Sequence, residues 1–218
     1  TLATPMGTLL DGLALRDVGD ADRIDELGFA LGLASVEAGF TLAAVAEAFE
    51  AHADDAGHEG VPLVAAARHL RDGGASESAH GLLIGFIDLV LRAPDGRVWI
   101  MDYKTNGLGD SDGVGATRTY VEEAAHQHPD AVMASMIDHD YLVQAHLYVV
   151  AVHRYLRGRL GAAYDYDQHV GGWAYLYVRG MTGVESAVAD DGRPHGIAAG
   201  RPSRALVEAL DAVIGGGA

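Results

Sequence analysis

At 218 residues the chain is long enough for one substantial core, and its 49% apolar and 21% charged content is that of an ordinary globular domain. No run approaches the roughly 18 apolar residues of a membrane span, so no membrane partner is expected; the absence of cysteine excludes disulfides and thiolate metal sites and agrees with a reducing, cytoplasmic setting. A net charge of −16, from 15 basic against 31 acidic residues, weighs against a protein that seizes nucleic acid unaided, because neutralising phosphate ordinarily takes a basic patch.

Residues 1–25 mix Gly, Asp, Thr and Leu without a clear period and read as an irregular approach segment. Residues 26–33 alternate Leu27, Phe29, Leu31 and Leu33 with other side chains, the pattern of a half-buried strand, and Glu26 is expected at its exposed end. Helical spacing over 40–52 follows Thr41, a candidate N-cap, and 61–71 predicts a second helix beyond a polar loop at 54–60. His52 and His58 flank that acidic loop, but exposed loop histidines are far more often unliganded.

The densest signal lies in residues 82–106, two apolar stretches around Pro94-Asp95-Gly96. A three-residue loop with Gly96 in the left-handed conformation pairs Ala93 with Arg97 and Leu91 with Trp99, and sets Asp88 opposite Asp102. Opposed Cβ atoms lie roughly 4.5 to 5.5 Å apart, so the two carboxylates repel unless a cation sits between them. Oxygen ligands without cysteine favour Mg²⁺ or Mn²⁺ over zinc. Lys104, two residues beyond Asp102 on the same face, adds a positive charge suited to orienting water or stabilising an anionic transition state. A two-residue Asp95-Gly96 turn would instead shift the register by one and separate the acids onto opposite faces. A single Asp or Lys at a strand end is usually a solvated tip; two opposed acids with a lysine on the same face are a more specific pattern.

Downstream, 107–115 is a Gly/Asp-rich loop placed to gate entry, and 117–127 reads as a helix that His128-Pro129 breaks. His126 and His128 have poor helical spacing for a shared metal. Residues 141–160 form the longest periodic helix, with Gln144 and Tyr148 four apart on one face and Arg154, Arg157 and Arg159 toward its end, either lining a channel or compensating the helix dipole. Residues 171–180 alternate Trp173, Tyr175 and Tyr177 with aliphatic residues, a strand whose aromatics either pack in the core or stack on bases. A loop over 183–200 and a closing helix over 202–214 complete a mixed β-sheet flanked by helices, an α/β fold.

The blocks Gly85-Phe86-Ile87-Asp88-Leu89-Val90 and Asp102-Tyr103-Lys104-Thr105-Asn106 resemble the D…(D/E)xK signature of the PD-(D/E)XK nuclease superfamily. More narrowly, the chain is similar to the C-terminal nuclease domain of the RecB family, the helicase-nuclease subunits of RecBCD complexes. The similarity runs on through Gln144 and Tyr148, His153-Arg154-Tyr155-Leu156-Arg157, Tyr164-Asp165-Tyr166-Asp167 and Gly171-Gly172 to Arg179-Gly180-Met181, covering about residues 82–182.

The resemblance implies a restriction-endonuclease-like fold over residues 1–218. It further implies Mg²⁺ (or Mn²⁺) held by Asp88, Asp102 and the main-chain carbonyl of Tyr103, with Lys104 as the catalytic lysine and Gln144 and Tyr148 as the QxxxY pair that supports the acids or contacts DNA. It implies a metal-dependent exodeoxyribonuclease acting in double-strand-break repair and recombination. The expected partners are single-stranded and unwound double-stranded DNA, upstream helicase domains of the same polypeptide, and RecC-like and RecD-like subunits. Delivery by a tethered helicase would reconcile the acidic charge with a DNA substrate, since tethering replaces intrinsic affinity with high effective concentration. The family's histidine ligand, on a helix well upstream of the first acid, has no match among His52, His58, His69 and His80, so the chain is expected to be a fragment whose site is completed by preceding sequence. The rival expectation is a non-catalytic, nuclease-like docking or DNA-guiding module.

Overall fold

The computed structural model describes residues 2–33, 40–73, 78–108, 127–184 and 186–215, apart from the side chains of Leu9 and His58. A five-stranded sheet carries the fold. Its strands, in spatial order, are β1 (Arg23–Gly32), β4 (Leu82–Arg92), β5 (Val98–Lys104), β6 (Val170–Tyr177) and β7 (Ile197–Gly200). A two-residue pair, β2 (Phe40–Thr41) with β3 (Ser78–Ala79), lies outside it. Only β5 and β6 run parallel, the other neighbours being antiparallel, so the sheet is mixed and the fold α/β, of restriction-endonuclease-like type.

The hairpin joining β4 to β5 turns as its residues dictate. The Ala93 N–H donates to the Arg97 carbonyl at 2.8 Å, and Gly96 takes a φ of 87°, a conformation that glycine reaches without a Cβ penalty. The ladder therefore keeps Leu91 opposite Trp99, Val90 opposite Ile100 and Leu89 opposite Met101, which excludes the two-residue turn.

Helices cover one face of the sheet: α1 (Leu42–Ala51), α2 (Gly60–Asp72), α3 (Pro129–Asp138), α4 (Tyr141–Leu160) and α6 (Arg204–Ile214), with the single turn α5 (Tyr166–His169) beside them. Thr41 caps α1 through a 3.1 Å bond from the Ala44 N–H, and Ser203 caps α6 through a bond from Leu206. Met6, together with Leu10 and Leu15 on two short 3₁₀ turns of the N-terminal segment, closes the other face over Leu89, Leu91, Trp99 and Met101.

Two expectations need correction, and one open alternative is decided. Pro129 starts a helix rather than merely ending one: it occupies the first turn of α3, where its missing N–H costs nothing, and the His128 side chain caps it. Residues 197–200, expected in a loop, form β7, whose two alanines and glycine carry little strand signal. Every residue of β6 is buried, so Trp173, Tyr175 and Tyr177 are core side chains and are not free to stack on bases. The Gly171-Gly172 pair at the head of β6 has a packing reason, since a Cβ on Gly171 would fall 2.2 Å from Nε1 of Trp99. The expected loop at 107–115 beyond Leu108, the expected helix at 117–127 before Gln127, and His126 lie outside the described residues. Among the described residues no helix is long and apolar enough to cross a membrane.

Candidate active site

The site forms where β4 parts from β5. Their ladder ends at Leu89 opposite Met101, although β4 continues outward with β1 as far as Leu82 opposite Gly32. Side-chain alternation along β4 changes phase at this point: Ile87 and Val90, three residues apart, both enter the helix-side core, while Leu89 and Leu91 enter the opposite one. Across the strand pair, between Asp25 and Leu27, Glu26 adopts a φ of 57°, rare for a residue with a Cβ. Glu26 is exposed, as expected of a surface residue, but it lies inside β1 rather than at its end, because the strand already begins at Arg23.

Asp88 occupies the bend. Its Oδ2 accepts a 2.9 Å hydrogen bond from the Tyr103 N–H, taking the place of a further ladder pair and holding the carboxylate beside β5. Asp102 lies on the neighbouring strand with only 4% of its surface exposed. Burial pushes its carboxyl above the ordinary carboxylate range; Lys104 opposes that rise and the charge of Asp88 adds to it. Lys104 Nζ lies 2.5 Å from Asp102 Oδ2, yet that oxygen receives no well-directed hydrogen bond.

Helix α4 supplies the opposite wall. Gln144 Oε1 accepts from Lys104 Nζ at 3.4 Å and from the Tyr175 hydroxyl at 2.8 Å, while its Nε2 donates to the Tyr148 hydroxyl at 2.9 Å. Burial and the charges of Asp102 and Asp88 push the Tyr148 phenol up to about 12, so it stays protonated. All six residues singled out in the sequence, Asp88, Asp102, Tyr103, Lys104, Gln144 and Tyr148, thus join one connected cluster. Two others stood out less. Tyr141 sits under the Lys104 ammonium at 3.9 Å from its ring centroid, and Tyr175 lies at 5.1 Å. The i,i+3 spacing of Tyr141 to Gln144 was the available signal for the first.

The donor set suits a hard divalent cation. Two carboxylates converge, one of them buried, so a cation there would relieve their repulsion. Among the described residues no group of three or more His, Cys, Asp or Glu is assembled that could hold a metal. The expected channel of arginines is not formed by Arg154 and Arg157. Both pair with the buried Asp211 of α6, Arg154 also donating to the Asp211 carbonyl at 3.0 Å, and so clamp two helices together.

No family model matches the chain. It is 38% identical over 215 residues to the RecBCD enzyme subunit RecB of Mycobacterium tuberculosis, an alignment covering 95% of this chain and 18% of that protein. The chain belongs to the RecB family. RecB of Mycolicibacterium smegmatis is 37% identical across 97% of this chain, and RecB of Escherichia coli K12 is 39% identical over 137 residues, 62% of this chain. The chain spans less than a fifth of the length of these RecB subunits.

Proposed function

We propose that the chain is a metal-dependent deoxyribonuclease module of the RecB type, hydrolysing phosphodiester bonds of mainly single-stranded DNA delivered by a helicase during double-strand-break repair. The observation that carries this reading is the convergence of Asp88, the buried Asp102 and Lys104 where β4 parts from β5. Asp88, Asp102 and the Tyr103 carbonyl would hold Mg²⁺ or Mn²⁺. A divalent cation held there supplies Lewis-acid polarisation of the phosphate and acidifies water.

The chain's own groups do the rest. Lys104 places a positive charge beside the acids, where it orients the attacking water and offsets charge developing on the phosphate. Gln144 fixes the direction of the ammonium, and Tyr148, held protonated, accepts from the Gln144 amide and keeps its own O–H on the α4 side. Upstream helicase domains and RecC-like and RecD-like subunits would bring the strand to this acidic module, so that effective concentration replaces intrinsic affinity.

The deciding experiment is degradation of end-labelled single-stranded DNA with Mg²⁺ or Mn²⁺, comparing the chain, and the RecB subunit that contains it, with the Asp102→Ala form of each. Cleavage that disappears in the variant and in EDTA supports the reading. Binding of DNA without any cleavage by either unmutated protein would overturn it in favour of a docking module.

A further inference from the structure

Lys104 is the one lysine of the chain; the other fourteen basic residues are arginines. An arginine here would bring a rigid planar fork that is never deprotonated, whereas a lysine brings a compact ammonium with three rotatable N–H donors. The surroundings fit the second shape. The ammonium lies 2.5 Å from Asp102 Oδ2, 3.4 Å from Gln144 Oε1, 3.9 Å from the centroid of the Tyr141 ring and 5.1 Å from that of Tyr175.

The two rings are themselves held. Tyr141, at the start of α4, stacks on His139 with centroids 5.3 Å apart and planes 16° from parallel, and tilts against Tyr175 at 6.1 Å. Tyr175 is fully buried in β6, and its hydroxyl donates to the same Gln144 oxygen that faces the lysine. An aromatic face attracts a cation through its quadrupole without consuming a directed hydrogen bond. The N–H groups of Lys104 therefore stay available to Asp102, to Gln144 and to a third partner.

We propose that Tyr141 and Tyr175 are positioning residues of this site: their rings form an aromatic seat that fixes the Lys104 ammonium between Asp102 and Gln144. Tyr141 provides the face, and Tyr175 provides the edge of the seat and sets the Gln144 amide so that its oxygen, not its nitrogen, meets the ammonium. The kinetic consequence of this seat rests on the nuclease reading above, whereas its geometry does not.

Because Lys104 is the sole lysine, the full chain grown with ¹³C,¹⁵N-lysine yields a single lysine side-chain signal, read by NMR. Over a ring face its Hε protons are displaced upfield. That displacement should be present in the wild type, persist in Tyr141→Phe and vanish in Tyr141→Leu. An ordinary lysine position in the wild type, which needs no variant to fold, overturns the proposal, as does an unchanged signal in Tyr141→Leu. With Mg²⁺ and single-stranded DNA, Tyr141→Leu should lower kcat about tenfold with KM held within about twofold, and Tyr141→Phe should recover most of that loss. Equal kcat in the wild type and Tyr141→Leu overturns the positioning role. A wild type that cuts nothing removes the nuclease reading alone, since the upfield signal still decides the seat.

Discussion

The Tyr103 N–H donates to Asp88 Oδ2 at 2.9 Å, so the first acid of the motif is bonded to the backbone of the strand that bears the second. This bond gives Asp88 two separable duties, one as an acceptor within the fold and one as an anion. Asp88→Asn keeps the acceptor and removes the charge, while Asp88→Ala removes both. In urea without metal, Asp88→Ala should lose about 0.5–1 kcal/mol and Asp88→Asn almost nothing. Mg²⁺ or Mn²⁺ at about a hundredfold its dissociation constant should stabilise the wild type by about 2.7 kcal/mol and neither variant. Equal metal-induced stabilisation of all three proteins would remove Asp88 from the cation site.

Lys104 should tolerate no replacement. Lys104→Ala is expected to abolish cleavage while far-UV circular dichroism and DNA binding stay close to wild type. Lys104→Arg should also fail, because a planar guanidinium cannot lie on the Tyr141 face and keep the close contact with Asp102 that the ammonium makes. Undiminished cleavage by Lys104→Ala would take the residue out of the mechanism, and full activity in Lys104→Arg would show that charge alone suffices.

The hairpin was legible in the sequence because turn chemistry fixes register: Pro94-Asp95-Gly96 left few ways to join two apolar strands, and the pairing of Leu91 with Trp99 followed. Helix α4 was legible for a similar reason, its apolar residues recurring from Leu142 to Leu156. What escaped was whatever depends on partners distant in the chain. Strand β7 has one large side chain and exists because β6 pairs with it. Arg154 and Arg157 read as channel lining or as compensation of the helix dipole until Asp211, more than fifty positions away, claims them. Tyr175 looks like any strand aromatic, and only the fold sets its hydroxyl on Gln144. Glu59 sat unremarked in a polar loop, yet its carboxyl is buried against Gly200 and the Trp173 indole.

Glu59 and His146 should make opposite contributions to the pH dependence of stability. Burial pushes Glu59 up from 4.5 to about 7, with the Trp173 indole opposing the rise, and neither carboxyl oxygen is in hydrogen-bond geometry. Its stabilising contribution is complete below pH 4.5 and is lost as pH rises through 7. Burial holds His146 down from 6.5 to about 4, against a 2.7 Å contact of its Nδ1 with the Leu142 carbonyl. Its contribution is complete above pH 6.5 and is lost as pH falls through 4. Between 4.5 and 6.5 the two slopes cancel, each being about 1.4 kcal/mol per pH unit. Urea midpoints measured from pH 5 to 6.5 should therefore rise more steeply with pH in Glu59→Gln than in the wild type, and fall with pH in His146→Leu. Slopes unchanged from wild type in both variants would sink the assignment.

The clamp between α4 and α6 predicts that Arg154 governs stability and leaves substrate handling alone. Arg154 donates through Nε to the Asp211 carboxylate and through Nη2 to the Asp211 carbonyl, and Asp211 is 5% exposed. Removing the arginine leaves a buried acid with only Arg157, 3.3 Å away and itself half exposed, to offset it. Arg154→Ala should therefore lose about 2 kcal/mol in urea, below the range for wholly buried pairs because solvent reaches one side. Asp211→Asn, which keeps an acceptor but strands two cations beside it, should lose a comparable amount. At a temperature where the variants remain folded, KM for single-stranded DNA should match wild type and its salt dependence should not change, because a residue tied to Asp211 releases no counterion from the nucleic acid. A raised KM with a shallower salt slope in Arg154→Ala, at unchanged stability, would return this arginine to the DNA path and leave the helix clamp without its main contact.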